Sequence, residues 1–160
     1  MDKKTDRFYQ FMVSYAEFMS EMSEQENRKY KALISNDLKQ MDKTIAEQQA
    51  MLMKLEKMEG QRLDLQRETG WEGLKFREIL DRLKGEDQRS FRKLFEQISR
   101  LLEQIQTGNE KSISFAKMSL QVSSLLNTDE NPEIQQNYTA QKGKPAEEED
   151  AAGSVFETTI

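Results

Sequence analysis

The chain of 160 residues contains no cysteine and no histidine. Without cysteine there are no disulfide frameworks or thiolate zinc sites, and without histidine there are no Ser–His or Cys–His nucleophile systems and no histidine pH switches. Proline occurs only twice, at Pro132 and Pro145, and glycine only seven times. Because β-sandwiches and barrels need turn residues every ~8–12 positions, these scarcities exclude that class of fold.

Long apolar runs are also missing, and none approaches the ~20 residues that a membrane-spanning helix requires. No apolar stretch of the signal-peptide type follows the first residues, Met1–Arg7. We therefore expect a cytoplasmic protein, and the absence of cysteine agrees with a reducing compartment. A charged fraction of 33% beside a hydrophobic fraction of 36% favours elongated helices with one apolar stripe.

Acidic charge is concentrated at the C-terminal end of the chain. Residues 127–160 carry eight acidic and two basic side chains, a net charge of −6, whereas the whole chain carries −5, so residues 1–126 come to about +1. We predict a helical domain over 1–126 and a disordered acidic tail over 127–160. Neither part has the clustered basic face that nucleic acid or an anionic membrane surface would require.

Apolar residues follow a helical spacing from Phe8 to Met22 and resume it, with a slip of phase, at Tyr30. The N-cap residue types of Ser35-Asn36-Asp37 predict a break there, with Asp37 and Gln40 at capping-box spacing. One continuous helix is the alternative, because no proline or glycine forces a stop.

Glycines mark the later boundaries. Gly70 is placed to end the second helix in a left-handed cap, and Gly85 ends a short amphipathic segment. The fold class predicted is all-α: an elongated antiparallel helical bundle or coiled coil with helices at about 5–34, 37–69, 74–84 and 86–126.

Residues suited to catalysis or metal binding are few. Glu17 and Glu21 lie one helical turn apart, which indicates a solvated face rather than a pair of catalytic carboxylates. Pro145 follows Gly143-Lys144 where a phosphate loop needs Ser or Thr, and the Glu-x-x-His pattern of metal-binding bundles is absent. We expect no enzymatic activity, no cofactor and no metal.

The last predicted helix carries the argument for binding. From about Ser112 onward its apolar residues leave a single stripe and alternate with serine and alanine. A domain of two or three helices cannot cover both faces, so we predict contact with a partner helix or with a second copy of the chain. Packing within the bundle is the alternative.

The run from Ile105 to Leu120 resembles the last-helix signature of FlgN-type flagellar export chaperones. That signature has an apolar residue, an asparagine, a second asparagine three residues later, an apolar pair, and Ser-Leu. The matching residues are Ile105, Asn109, Phe115, Ala116, Ser119 and Leu120. Ser112 stands where the second asparagine is usual, and Gly108 where leucine is common.

Weaker similarities lie elsewhere in the chain. Ser35-Asn36-Asp37-Leu38 resembles the start of the family's second helix, and Arg62 to Gly70 resembles the segment that closes it. The similarity extends over about 5–126. Val155-Phe156-Glu157 resembles a short apolar and acidic motif at the end of some members.

The resemblance implies a cytoplasmic chaperone of flagellar type III export. Such a protein binds the C-terminal helical segments of the hook-associated, or hook–filament junction, proteins, keeps them monomeric, and delivers them to the export gate. The family's client contact then falls on Leu102, Ile105, Asn109, Ile113, Phe115, Ala116, Leu120 and Val122.

The end of the chain is a second candidate site. Val155, Phe156 and Ile160 reappear after roughly 25 polar residues and are predicted to form a docking motif, for which the resemblance suggests the export gate as partner. Two other readings stay open at this point. The chain could be a homodimeric coiled-coil scaffold without a client, or a chaperone for a different exported client.

Overall fold

The computed structural model of the protein describes residues 1–127, and all regular structure within them is helical. The helices are α1 (Lys3–Ser35), α2 (Leu38–Glu68), α3 (Phe76–Arg82) and α4 (Gly85–Asn127). The prediction of an all-α bundle of long helices is thereby confirmed, and the observed bounds lie within two residues of the predicted ones. The predicted disorder of the acidic tail falls on residues outside the described part of the chain.

Helix α1 is the centre of the bundle and packs against both α2 and α4. Helix α2 runs antiparallel to α1. Arg7, near the start of α1, pairs with Glu68 at the end of α2 (3.1 Å), and Arg28 pairs with Glu47 (3.5 Å). The two helices therefore form a hairpin whose turn lies at residues 36–37.

Helix α4 runs parallel to α1. The Phe8 and Phe91 rings stack 6.1 Å apart near the start of both helices, and Lys29 Nζ donates to Asn109 Oδ1 at 3.0 Å much further along. We call the end of the bundle at Phe8 and Phe91 the base, and the end at the α1–α2 turn the tip.

The break between α1 and α2 is real, so the alternative of one continuous helix is wrong. Asn36 adopts the left-handed conformation (φ 53°), and its N–H donates to the carbonyl of Leu33 while the N–H of Asp37 donates to that of Ala32. This bonding pattern is the Schellman motif, which ends a helix by satisfying its last carbonyl groups. The Asp37 carboxylate then accepts from the Gln40 N–H at 3.1 Å and starts α2.

Gly70 ends α2 as the sequence predicts, with a φ of 77°, and the Trp71 N–H donates to the Gln66 carbonyl at 2.9 Å. This turn directs the Trp71 ring into the base, where it meets Phe8 at 5.6 Å and Phe91 at 6.0 Å, edge-on in both cases. Trp71 thus anchors the loop onto the helix ends.

The base contains most of the aromatic core. Phe91 and Phe95 on α4 are buried, and Phe76 of α3 stacks on Phe95 at 4.1 Å. Ile79 of α3 is also fully buried. Helix α3 therefore packs against α4 at the base only, and α4 continues toward the tip with α1 as its main neighbour.

Candidate functional site

The contact between α1 and α4 becomes polar toward the tip. Lys29 Nζ lies 2.7 Å from a carboxylate oxygen of Glu26 and donates to Asn109 Oδ1 and, at 3.4 Å, to Gln48 Oε1. Glu26 and Lys29 are both buried. A buried ion pair with further hydrogen bonds replaces the apolar packing that holds the base.

Gly108 of α4 faces Glu26 in the polar layer that Glu26, Lys29 and Asn109 form. A Cβ atom built on Gly108 would come within 3.1 Å of the Cβ of Glu26, a tight contact that requires Glu26 to shift by a few tenths of an ångström. Gly108 therefore leaves room for Glu26 at a position where the resembled signature has leucine. Ser112, in place of the second asparagine, is buried, and its hydroxyl has no hydrogen-bond partner among the described residues.

Helix α4 continues past the tip. Tyr30 of α1 packs edge-on against Phe115 at 6.2 Å and under Lys111 Nζ at 4.1 Å. Helix α1 ends only five residues later, at Ser35, whereas α4 runs on to Asn127. With ~1.5 Å per residue, about ten residues of α4 extend roughly 15 Å beyond the hairpin turn. We call residues 118–127 the projecting end of α4.

The projecting end carries exposed apolar side chains on several sides of the helix. The side chains of Leu120 and Val122 are 46% and 51% exposed, and those of Met118, Leu125 and Leu126 are also exposed. Contiguous exposed apolar side chains of this kind are typical of interaction surfaces. The sequence-based expectation of an apolar surface that the bundle does not cover is met here.

The eight residues predicted to bind the client fall into three environments. Leu102 and Ile105 are buried in the core, so their side chains cannot reach a client while α4 stays on α1; this corrects the expectation of direct contact for these two. Leu120 and Val122 are exposed at the projecting end. The other four are half-buried between them: Asn109, Ile113, Phe115 and Ala116.

The correction has a simple physical reason. Leu102 and Ile105 belong to the part of α4 that lies alongside α1, and Asn109 is held there by its hydrogen bond from Lys29. Only past Phe115 does α4 lose that neighbour. Met118 and Leu126 therefore join the exposed surface although the resemblance did not select them, and the signal for them was the loss of the single stripe after Ser112.

The predicted docking motif of Val155, Phe156 and Ile160 lies outside the described residues. Arg62, in the segment that resembles the family's helix-closing pattern, has a structural role: its guanidinium binds the Glu59 carboxylate (3.1 Å) and Gln66 Oε1 (2.7 Å). Gln66 in turn donates to the carbonyls of Trp71 and Leu74 and so fixes the loop after α2.

The same carboxylate connects this network to α1. The Tyr15 hydroxyl donates to Glu59 Oε1 at 2.6 Å, and Tyr15 is fully buried. Burial, reinforced by the negative charge of Glu59, raises the pKa of the Tyr15 phenol above its ordinary value. Tyr15 is therefore a neutral hydrogen-bond donor that ties α1 to α2.

Within residues 1–127 there is no group of three or more acidic side chains arranged to share a metal ion. None of the described helices has both the length and the apolar character needed to cross a bilayer. What the projecting end offers a partner is apolar contact area, with serine hydroxyls between the large side chains.

Comparison with known proteins identifies the family. The sequence model of the family described as FlgN protein matches residues 1–145, a range that includes all four helices. Comparison with curated proteins and with solved structures gave no match. Because the family match extends over most of its length, the chain belongs to the FlgN family, the family of flagellar export chaperones.

Proposed function

We propose that the projecting end of α4 binds the C-terminal helical segment of a flagellar hook-associated protein, and that the chain keeps this client monomeric and delivers it to the export gate. Membership of the FlgN family supplies the class of client. The observation that carries the proposal is the exposure of large apolar side chains on the part of α4 that extends past the hairpin.

The free energy of client binding comes from burial of this surface. Around the axis of α4, Leu120 lies about 160° from Val122 and about 120° from Leu126. A client therefore removes all three side chains from water only if its helical segment contacts α4 beyond the tip from two sides. Complete burial of one such side chain is worth about 1.5–3 kcal/mol. Part of this gain is lost in ordering the client segment. The sum is compatible with a complex that is stable yet reversible.

The half-buried residues have a different part in this proposal. Ile113, Phe115 and Ala116 lie at the level of the tip, where a client helix would meet the end of α1. Leu102 and Ile105 act indirectly, because they hold α4 in place on α1 and so orient the projecting end. Substitutions at these two positions are expected to lower stability first and client affinity only as a consequence.

Delivery requires that the client be transferred. A component of the export machinery can compete for the client, or it can bind the client-free chaperone more tightly than the complex. Either preference shifts the binding equilibrium and releases the client segment. Val155, Phe156 and Ile160 are proposed to contact the export gate, since an apolar motif on a long tail raises the local concentration of the complex there. Deletion of 154–160 should leave client affinity unchanged and weaken gate association.

The test of client binding uses charge substitution at the projecting end. Leu120→Asp and Val122→Asp each place a carboxylate in the proposed contact, where desolvation of the charge costs several kcal/mol. We expect each substitution to weaken binding of a synthetic hook-associated C-terminal segment by more than tenfold in isothermal titration calorimetry, with helical circular dichroism unchanged.

Leu63→Asp is the matched control, because Leu63 on α2 is a leucine of nearly the same exposure (48%) that lies far from the projecting end. It should bind the segment like the unmodified chain. Normal binding by Leu120→Asp and Val122→Asp would remove the projecting end as the client site.

Self-association is a second candidate use of the same surface. The exposed apolar residues of α4 also fit a second copy of the chain, as in a homodimeric scaffold. Light scattering of the full chain, alone and with the client segment, separates the two readings. A dimer that Leu120→Asp dissociates and that the client segment leaves intact would favour the scaffold.

A further inference from the structure

A groove between α3 and α4 at the base combines apolar and basic side chains. Its volume is about 610 Å³, and Phe76, Leu80 and Phe95 form its apolar part. Three arginines border it: Arg77 on α3, and Arg92 and Arg100 on α4. The groove lies on a different part of the molecule from the projecting end of α4.

The three arginines are exposed and make no ion pair with any described residue. Glu96, between Arg92 and Arg100 on α4, is the one acidic side chain among the groove residues, so their net charge is +2. Residues 1–126 as a whole carry about +1, so the rest of the helical body, without the groove residues, carries about −1. The groove is thus a local basic site with an apolar floor, and its complement is an acidic segment that carries large apolar side chains.

Such a segment exists in the same chain. Residues 146–160 contain five acidic residues and no basic one, with the acidic run Glu147–Asp150 followed by Val155 and Phe156. We propose that, while it is not in contact with the export gate, this terminal segment docks in the groove between α3 and α4 of its own chain. The acidic run faces the arginines, and Val155 and Phe156 cover Leu80 and the edge of the aromatic pair.

The lengths agree with docking within one molecule. Arg100 lies 27 residues before the end of α4, or about 40 Å along the helix axis. The 19 residues 128–146 can extend to roughly 60 Å, so the acidic run can reach Arg100. Arg92 and Arg100 are about 12 Å apart along α4, a span that the four residues 151–154 can bridge between the acidic run and Val155.

The charges also favour this occupant over the rest of the tail. Lys142 and Lys144, the two basic residues after residue 127, precede the acidic run and stay outside the docked segment. Attraction between exposed charges depends on salt, because the Debye length falls from about 10 Å at 0.1 M to about 3 Å at 1 M ionic strength. Docking should weaken as salt increases, although the apolar contacts of Val155 and Phe156 remain.

The absence of cysteine allows a direct test on the full chain. A nitroxide spin label on Ser154→Cys broadens the NMR signals of nearby amides. We expect strong loss of intensity for amides of 76–80 and 92–100, little loss along α2, and recovery of intensity at 1 M salt. Arg77→Glu/Arg92→Glu/Arg100→Glu should abolish the loss in the groove.

The matched control is Lys39→Glu/Lys43→Glu/Lys57→Glu, which makes the same change of charge at exposed lysines of α2 and should keep the broadening. A second variant, Glu147→Gln/Glu148→Gln/Glu149→Gln/Asp150→Asn, leaves the helical body unchanged and should also abolish it. Broadening that persists in both charge variants, or that falls on the projecting end of α4, overturns the proposal.

The proposal is for docking within one chain. In a mixture of isotope-labelled chains without the nitroxide and unlabelled chains with it, only contact between molecules gives broadening. We expect none at the groove. Broadening there in the mixture shows that the segment binds another copy and overturns docking within one chain. Client binding at α4 is measured in a separate experiment, so the result for the groove neither supports nor contradicts client binding.

Discussion

The base and the tip of the bundle are held together by different chemistry. At the base, Phe8, Trp71 and Phe91 pack on one another in a buried aromatic cluster. Toward the tip, the same α1–α4 contact depends on the buried Glu26–Lys29 pair and its hydrogen bonds. Aromatic burial yields a large gain of free energy, whereas a buried ion pair roughly balances attraction against desolvation. Stability is therefore concentrated at the base, and the tip is left for binding.

The largest expected effect belongs to the aromatic cluster. Phe91 is fully buried and touches rings from α1, the loop after α2, and α4 itself. Phe91→Ala should lower the free energy of unfolding by about 3–5 kcal/mol, because it removes that packing and leaves a cavity. Urea denaturation followed by circular dichroism measures the loss. Leu120→Ala at the projecting end should change it by no more than about 0.5 kcal/mol, and equal losses would contradict the division between base and tip.

The next effect tests the polar layer. Lys29→Ala leaves the buried Glu26 carboxylate without its counter-charge and should destabilise the protein by about 3 kcal/mol. Glu26→Leu/Lys29→Leu removes both charges and should recover most of that loss in the same denaturation experiment. A double variant as unstable as Lys29→Ala would mean that the pair contributes net stability and that the tip is stronger than we infer.

The smallest effect concerns Tyr15, between base and tip. Tyr15→Phe removes the hydrogen bond to Glu59 and should cost about 1.5 kcal/mol at neutral pH. The raised pKa means that the folded state favours the protonated phenol, so this contribution is complete below about pH 10, the ordinary value, and is lost as the pH rises further. Unfolding free energies from pH 8 to 11 should fall less steeply for Tyr15→Phe than for the unmodified chain. Parallel curves would rule out this coupling.

The apolar spacing of the sequence predicted burial well for α1 and poorly for α2. Of the first stripe, Phe8, Tyr15 and Phe18 are all buried. In α2, Leu38, Ile45 and Leu52 continue a helical spacing yet are exposed. A stripe shows which face of a helix is apolar, and it does not show whether another helix lies against that face. Helix α1 has neighbours on two sides, which the sequence of a single helix cannot reveal.

The sequence likewise predicted one part of the candidate site and not the other. The loss of a single stripe after Ser112 located the uncovered part of α4, since no arrangement of one neighbour covers all sides of a helix. The boundary between core and surface in α4 depends on where α1 ends, and so Leu102 and Ile105 could not be separated from Leu120 by spacing alone. The groove between α3 and α4 could not be predicted from the sequence either. Arg77 is distant in sequence from Arg92 and Arg100, and only the packing of α3 on α4 brings them together.

The turn at Asn36 has a consequence for the size of the binding surface. Its left-handed backbone ends α1 at Ser35, while α4 grows from the base independently of that turn. The exposed length of α4 is thus the difference between two helix lengths. Seven extra residues in each arm of the hairpin would raise the turn by about 10 Å and cover Leu120, although α4 itself would be unchanged. Evolution can therefore enlarge or shrink this surface by insertions and deletions in α1 and α2, at positions that never touch the partner.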